Sequence, residues 1–192
     1  MTAALLVHPG ARLVVIDMQR VFAEPTSEWA TPDFEEAADG IRRLLPAFDG
    51  RTVFTRFVPV APPTGAWIEY YEEWPFALEQ RDEAIFDLVP EFAAIAGPTI
   101  DKPTFGKWGP EMRDRMRGAD QMVLTGVSTD CCVIATALAA ADAGMRVLVV
   151  SDACAGLSDS DHQRALDAMA LFPPHIALVT VADVLGSAVT AK

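Results

Sequence analysis

Histidine and cysteine are scarce in this chain, with three of each among 192 residues, and the scarcity narrows the chemistry before any motif is read. His8, His162 and His175 show no close ligand spacing and no Cys-x-x-Cys occurs, so the expectation is no metal and no cofactor. Three cysteines cannot all pair within one chain and lack the spacing of a secreted disulfide framework, which suits a reducing compartment. Positive charge is short too. With 15 Lys and Arg against 27 Asp and Glu, the formal charge is −12, which argues against nucleic acid or an anionic membrane as partner. No apolar run reaches the ~20 residues that span a bilayer, and the opening MTAALLVHPGAR lacks a basic start and a small-residue cleavage site. The expectation is a soluble, cytoplasmic, single domain over 1–192 that acts on a small molecule.

Apolar residues are plentiful, 51% of the chain, and they fall into short β-branched runs at 12–17, 51–57, 121–126, 145–152 and 175–181, with a weaker one at 97–102. Such runs suit strands buried on both faces of a parallel sheet. Helical patterns lie between them. One starts with Thr31 as N-cap and Pro32 in the first turn and ends by Gly50; another covers 110–117. A third runs from the adjacent Cys131 and Cys132 to Gly144, and a fourth is stopped by Pro173 and Pro174. Alternating strands and helices imply a doubly wound α/β sheet. The long aromatic connection at 58–92 breaks the alternation, and a connection of that length is often functional.

Ligands of open parallel sheets collect beyond the carboxyl ends of the strands. Asp17 ends the first strand, Lys102 the third, and the cysteine pair follows the fourth. Taken singly, Asp17 is as well explained as a turn residue, Lys102 as a solvated lysine and Cys154 as core filling. Taken together, a carboxylate, an ammonium and a thiol at three strand ends point to a nucleophilic site. A Cys131–Cys132 disulfide is disfavoured, because adjacent Cα atoms stand about 3.8 Å apart, below the usual disulfide range. At a helix start the free N–H groups and the dipole favour thiolate and can receive an oxyanion. Position does not choose between the two thiols, although about 100° of helical rotation separates them and only one is expected to aim into the cleft.

The motifs LVVIDMQRVF, DKPTFGKW and TGVSTDCCVIATALAAADAGMRVLVVSDACAG, in that order, resemble those of the isochorismatase-like cysteine hydrolases, which include nicotinamidases and N-carbamoylsarcosine amidohydrolase. HQRALDAMALF and VTVADVL extend the resemblance over nearly the whole chain. It implies a three-layer α/β/α sandwich with a mainly parallel six-stranded sheet in the order 3-2-1-4-5-6. It also implies a triad of Asp17, Lys102 and Cys132, a cis peptide between Val127 and Ser128, and an oxyanion hole made by the N–H groups of Ser128 and Cys132. Cys131 is then a bystander. Metal-binding relatives carry a D-x-H motif and a further histidine after the second strand, where this chain reads TRFVPVAPPTGAW, again implying no metal. The cysteine itself favours C–N hydrolysis, and the resemblance implies a homodimer or homotetramer.

For the substrate, Phe22, Trp67, Tyr70, Tyr71, Trp74 and Trp108 are candidates for an aromatic cleft, with core or subunit packing as the alternative. Arg56 is a candidate fork for a substrate carboxylate, or else a plain ion pair. The expected activity is hydrolysis of a small amide, carbamoyl or ureido compound through a thioester. The rival is a non-catalytic small-molecule-binding or thiol-sensing protein on the same fold.

Overall fold

The computed structural model describes residues 6–81 and 83–189. In chain order its elements are β1 (Arg12–Ile16), α1 (Arg20–Ala23), α2 (Phe34–Leu44), β2 (Thr52–Phe57), α3 (Trp67–Glu73), α4 (Phe76–Glu79), α5 (Pro90–Ala93), β3 (Ile100–Lys102), α6 (Pro110–Arg115), β4 (Gln121–Val127), α7 (Ile134–Asp142), β5 (Arg146–Ala155), α8 (Asp159–Met169), β6 (Ile176–Val179) and α9 (Val181–Val189). The six strands form one sheet in the order β3-β2-β1-β4-β5-β6, and every ladder between them is parallel.

The strands bury both faces, as their unbroken apolar runs require. Along β1, Leu13 and Val15 face one core with Val123, Leu148 and Val150, whereas Val14 and Ile16 face the other with Leu124, Val147 and Val149. The period of two therefore divides each strand between two layers. Residues of α2 and α9 join the first core, and residues of α6, α7 and α8 join the second. These are the layers of an α/β/α sandwich.

The helix expected to start at Thr31 begins instead at Phe34. Pro32 is not its first-turn residue, and a short 3-10 turn, Leu45–Phe48, carries the chain over Pro46 to Gly50. The sixth strand stops at Val179, because the Asp183 carboxylate accepts the Thr180 N–H at 2.9 Å and turns the chain into α9. The long connection after β2 is not structureless: it folds into α3, α4, α5 and a 3-10 turn at Ala84–Phe86.

At the switch point the two central strands approach closely. Gly126 pairs with Ile16, and a Cβ at Gly126 would stand 2.1 Å from the Ile16 carbonyl oxygen. Its φ of +105° is also one that favours glycine. This contact closes β1 onto β4 just before Asp17 on one strand and Ser128 on the other. Among the described residues no helix is long and apolar enough to cross a membrane.

Candidate functional site

Asp17 leaves β1 with φ +49°, the single positive φ among the described non-glycine residues, a conformation that Asp tolerates better than most side chains. The turn is held by Thr55 on the neighbouring strand. Its hydroxyl accepts the Asp17 N–H at 3.2 Å and donates to Asp17 Oδ1 at 2.6 Å. Gln19 fixes the next residues: its amide donates to the carbonyls of Phe57 and Phe86 at 3.0 and 2.5 Å and accepts the Phe57 N–H at 2.7 Å. The carboxylate is thus placed by β2 as much as by its own strand.

Its cationic partner is Lys107, not Lys102. Lys107 Nζ lies 2.9 Å from Asp17 Oδ2, and both side chains are fully buried. The ammonium also donates to the Thr104 carbonyl at 2.8 Å and stands 5.0 Å from the centroid of the Phe57 ring, a favourable place for a desolvated cation. Lys102 sits at the end of β3, partly exposed, with its ammonium 3.7 Å from Glu111. The reason is topological: β3 is the edge strand, two strands away from Asp17, and the loop after it runs back across the sheet ends to reach the switch point. Thr136 on α7 pins that loop, accepting the Lys107 N–H at 2.9 Å while donating to the Cys132 carbonyl at 2.7 Å. DKPTFGKW holds two lysines; strand-end position and the resemblance both pointed to Lys102, whereas the one that meets Asp17 is Lys107.

After β4 the Val127–Ser128 peptide is cis, and a π turn, Thr129–Val133, carries both cysteines ahead of α7. The Val133 N–H bonds the Ser128 carbonyl at 3.1 Å, an i→i+5 closure. Both Cys131 and Cys132 line the cavity, where only one thiol was expected to aim. Cys132 is buried. Burial pushes its thiol well above the ordinary value, and the Asp17 carboxylate adds to this, while Lys107 opposes it. Helix-start stabilisation of a thiolate is therefore outweighed by desolvation, and the resting group is a thiol facing a carboxylate. Cys131 is pushed up to about 11, first by burial and then by Asp130.

Asp17 Oδ2, although close to Lys107, makes no hydrogen bond. The same carboxylate acts on the Cys132 thiol as well as on Lys107. A buried thiol, a buried carboxylate and a buried ammonium form a unit capable of proton transfer and nucleophilic attack.

Above this unit lies a cavity of about 150 Å³ lined by Phe22, Trp29, Phe57, Tyr70, Trp74 and Phe105, with Glu28, Ser128, Leu157 and the two cysteines. The model matched by residues 11–183 is that of the isochorismatase domain. The chain belongs to the isochorismatase family. Isochorismatase domain-containing protein 2 of Xenopus laevis is 33% identical over 94 residues, 47% of this chain and 46% of that protein, so the match spans about half of the relative's length. A cysteine hydrolase from Pseudomonas syringae pv. phaseolicola superposes with a TM-score of 0.82 at 21% identity, covering 100% of both chains. N-carbamoylsarcosine amidase from Thermoplasma acidophilum superposes with a TM-score of 0.69 at 20% identity over 89% of this chain and 96% of that one. These two likenesses carry the fold.

Within this isochorismatase-family fold, Phe22, Tyr70 and Trp74 line the cavity. The other pocket candidates lie elsewhere. Trp67 stands one layer behind, with its ring centroid 4.9 Å from Phe105 and 5.1 Å from Tyr70, and it faces a separate cavity together with Tyr71. Trp108 packs on the second core. Arg56 is engaged by Asp101 at 2.6 Å and by Asp87 at 2.9 Å and lines a neighbouring polar cleft, so its guanidinium is not among the groups that line the cavity over Cys132. Trp29, Phe57, Phe105 and Glu28 were missed. For Trp29 the available signal was a tryptophan in the irregular segment directly after β1, at a sheet end where sites collect.

Proposed function

We propose that the protein is a cysteine hydrolase of the C–N bond in a small amide, carbamoyl or ureido compound, working through a thioester. The observation that carries this reading is the buried Asp17–Lys107 pair set against the Cys132 thiol. Because burial holds Cys132 protonated, the nucleophile needs a base at the moment of attack, and the Asp17 carboxylate that acts on the thiol serves as that base. Cys132 attacks the carbonyl as Asp17 takes its proton. The tetrahedral oxyanion is received by the backbone N–H groups of Ser128 and Cys132. Asp17 then returns the proton to the leaving amine, and with Asp17 again as base, water attacks the thioester, releasing acid and thiol. Lys107 stands 2.9 Å from the carboxylate and stabilises negative charge on sulfur throughout; Lys102 has no part.

A sensor role for the thiols has weaker support. Redox-responsive cysteines are exposed and of low pKa, whereas Cys131 and Cys132 are both held above the ordinary thiol value. The test is turnover of a panel of amide, carbamoyl and ureido compounds by the intact chain, with the acyl group identified from the mass of a trapped thioester. Cys132→Ser abolishes turnover and trapping. Cys131→Ser retains both. Full activity in Cys132→Ser sinks the reading.

A further inference from the structure

The cavity over Cys132 has a chemical bias that cysteine chemistry itself does not require. Its walls are six aromatic rings, and Trp29 is their hub: its ring centroid lies 5.6 Å from Phe57, 5.9 Å from Tyr70, 6.1 Å from Phe22 and 6.3 Å from Trp74. Among the described residues that line it there is no Lys, Arg or His; the charged one is Glu28, which is exposed. Lys107 is fully buried and already committed to Asp17 and the Thr104 carbonyl. Tyr70 stays a neutral phenol, because burial and then the two neighbouring cysteines raise it.

A substrate carboxylate placed here loses its water and gains no counter-ion, which is costly. A cation meets the negative faces of the rings, Trp best of all, and an attractive carboxylate at the mouth. A cavity of about 150 Å³ takes a group roughly the size of benzene, which a compact alkylated ammonium matches. Building on the amide-hydrolase reading, we infer that the non-reacting end of the substrate is a small alkylated ammonium group, held in the aromatic box around Trp29 with Glu28 at its entrance.

The test compares three amides of one chain length, ending in trimethylammonium, in the uncharged tert-butyl isostere, or in a carboxylate. The trimethylammonium amide is expected to exceed its isostere in kcat/KM by roughly 2- to 30-fold, with the carboxylate poorest. Glu28→Lys, an exchange at an exposed position, shrinks or reverses that preference. Binding of the same three probes to Cys132→Ala, followed by tryptophan fluorescence, separates this inference from the amidase reading. Preferential binding of the cation without hydrolysis of any amide by the wild type upholds the box and removes the amidase. An isostere or carboxylate that binds as tightly as the cation overturns the box whether or not amides are hydrolysed.

Discussion

Two ion pairs stand at the same end of the sheet. Arg56 on β2 grips Asp101 on β3 through two nitrogens, at 3.0 and 2.6 Å, and reaches Asp87 with a third at 2.9 Å. Lys107 offers Asp17 a single contact at 2.9 Å. By contact number the first pair is the better made, yet its side chains are 27% and 39% exposed, whereas those of the second are at 0%. Arg56 has its fork filled and is washed by water, so it has little left to offer a ligand. Asp17 and Lys107 are dry, and the carboxylate has an oxygen without a hydrogen bond. The pair suited to chemistry is the buried one, because a charge acts furthest where water is excluded.

The largest expected effect comes from breaking the buried pair. Asp17→Asn and Lys107→Met each lower kcat/KM by about 10²–10⁴, the usual worth of a positioned acid–base group. Arg56→Met and Lys102→Ala stay within roughly threefold of the wild type, as partly solvated charges contribute little. Steady-state kinetics on any turned-over amide decides it. A loss in Lys102→Ala as deep as that in Lys107→Met returns the cationic role to the strand-end lysine.

That contrast also marks where sequence reading stops. The sheet was legible because a buried parallel strand must be continuously apolar, and 12–17, 51–57 and 121–126 say so without needing neighbours. Asp17 was legible as a candidate because it directly follows such a strand, and the cysteine pair because it lies in the turn after another; the choice of Cys132 over Cys131 came only from the resemblance. Lys107 was not: its place depends on a loop crossing the sheet ends and on Thr136 holding that loop, and neither leaves a periodic signal. Trp67 and Trp108 show the same limit, since an aromatic residue near a site in sequence has two sides and only packing decides which one faces the ligand. Arg56 was open to either reading, and the carboxylates that fill it come from residues 31 and 45 positions away.

Stability offers a second, smaller test of the comparison. Lys107→Met strands a buried carboxylate and should cost about 3–5 kcal/mol, whereas Arg56→Met costs about 0–1 kcal/mol. The double variant Asp17→Asn, Lys107→Met removes both charges and regains much of the loss in urea unfolding, while activity stays absent. A double variant no more stable than Lys107→Met alone means that the lysine matters for packing and not for charge.

The smallest effects lie in the pH limbs, where buried thiols set the alkaline one and the exposed ion pair the acid one. Burial raises Cys154 from 9.0 to about 12, and burial, then Asp17, raises Cys132 well above 9.0. A thiol with a raised folded pKa gives stability that is intact below its unfolded value and is lost as pH climbs toward the folded one. Tm should therefore fall from about pH 9 upward, and Cys154→Ala should flatten that limb. On the acid side the exposed pair takes over. The hydrogen bond from Arg56 holds Asp101 below its ordinary 3.8, so its contribution is present above that pH and disappears as pH falls through the lowered value. Solvent screening keeps it small. Arg56→Met should shift acid unfolding slightly upward in pH and leave the alkaline limb unchanged. A shift of the alkaline limb instead couples the two sites that the structure keeps apart.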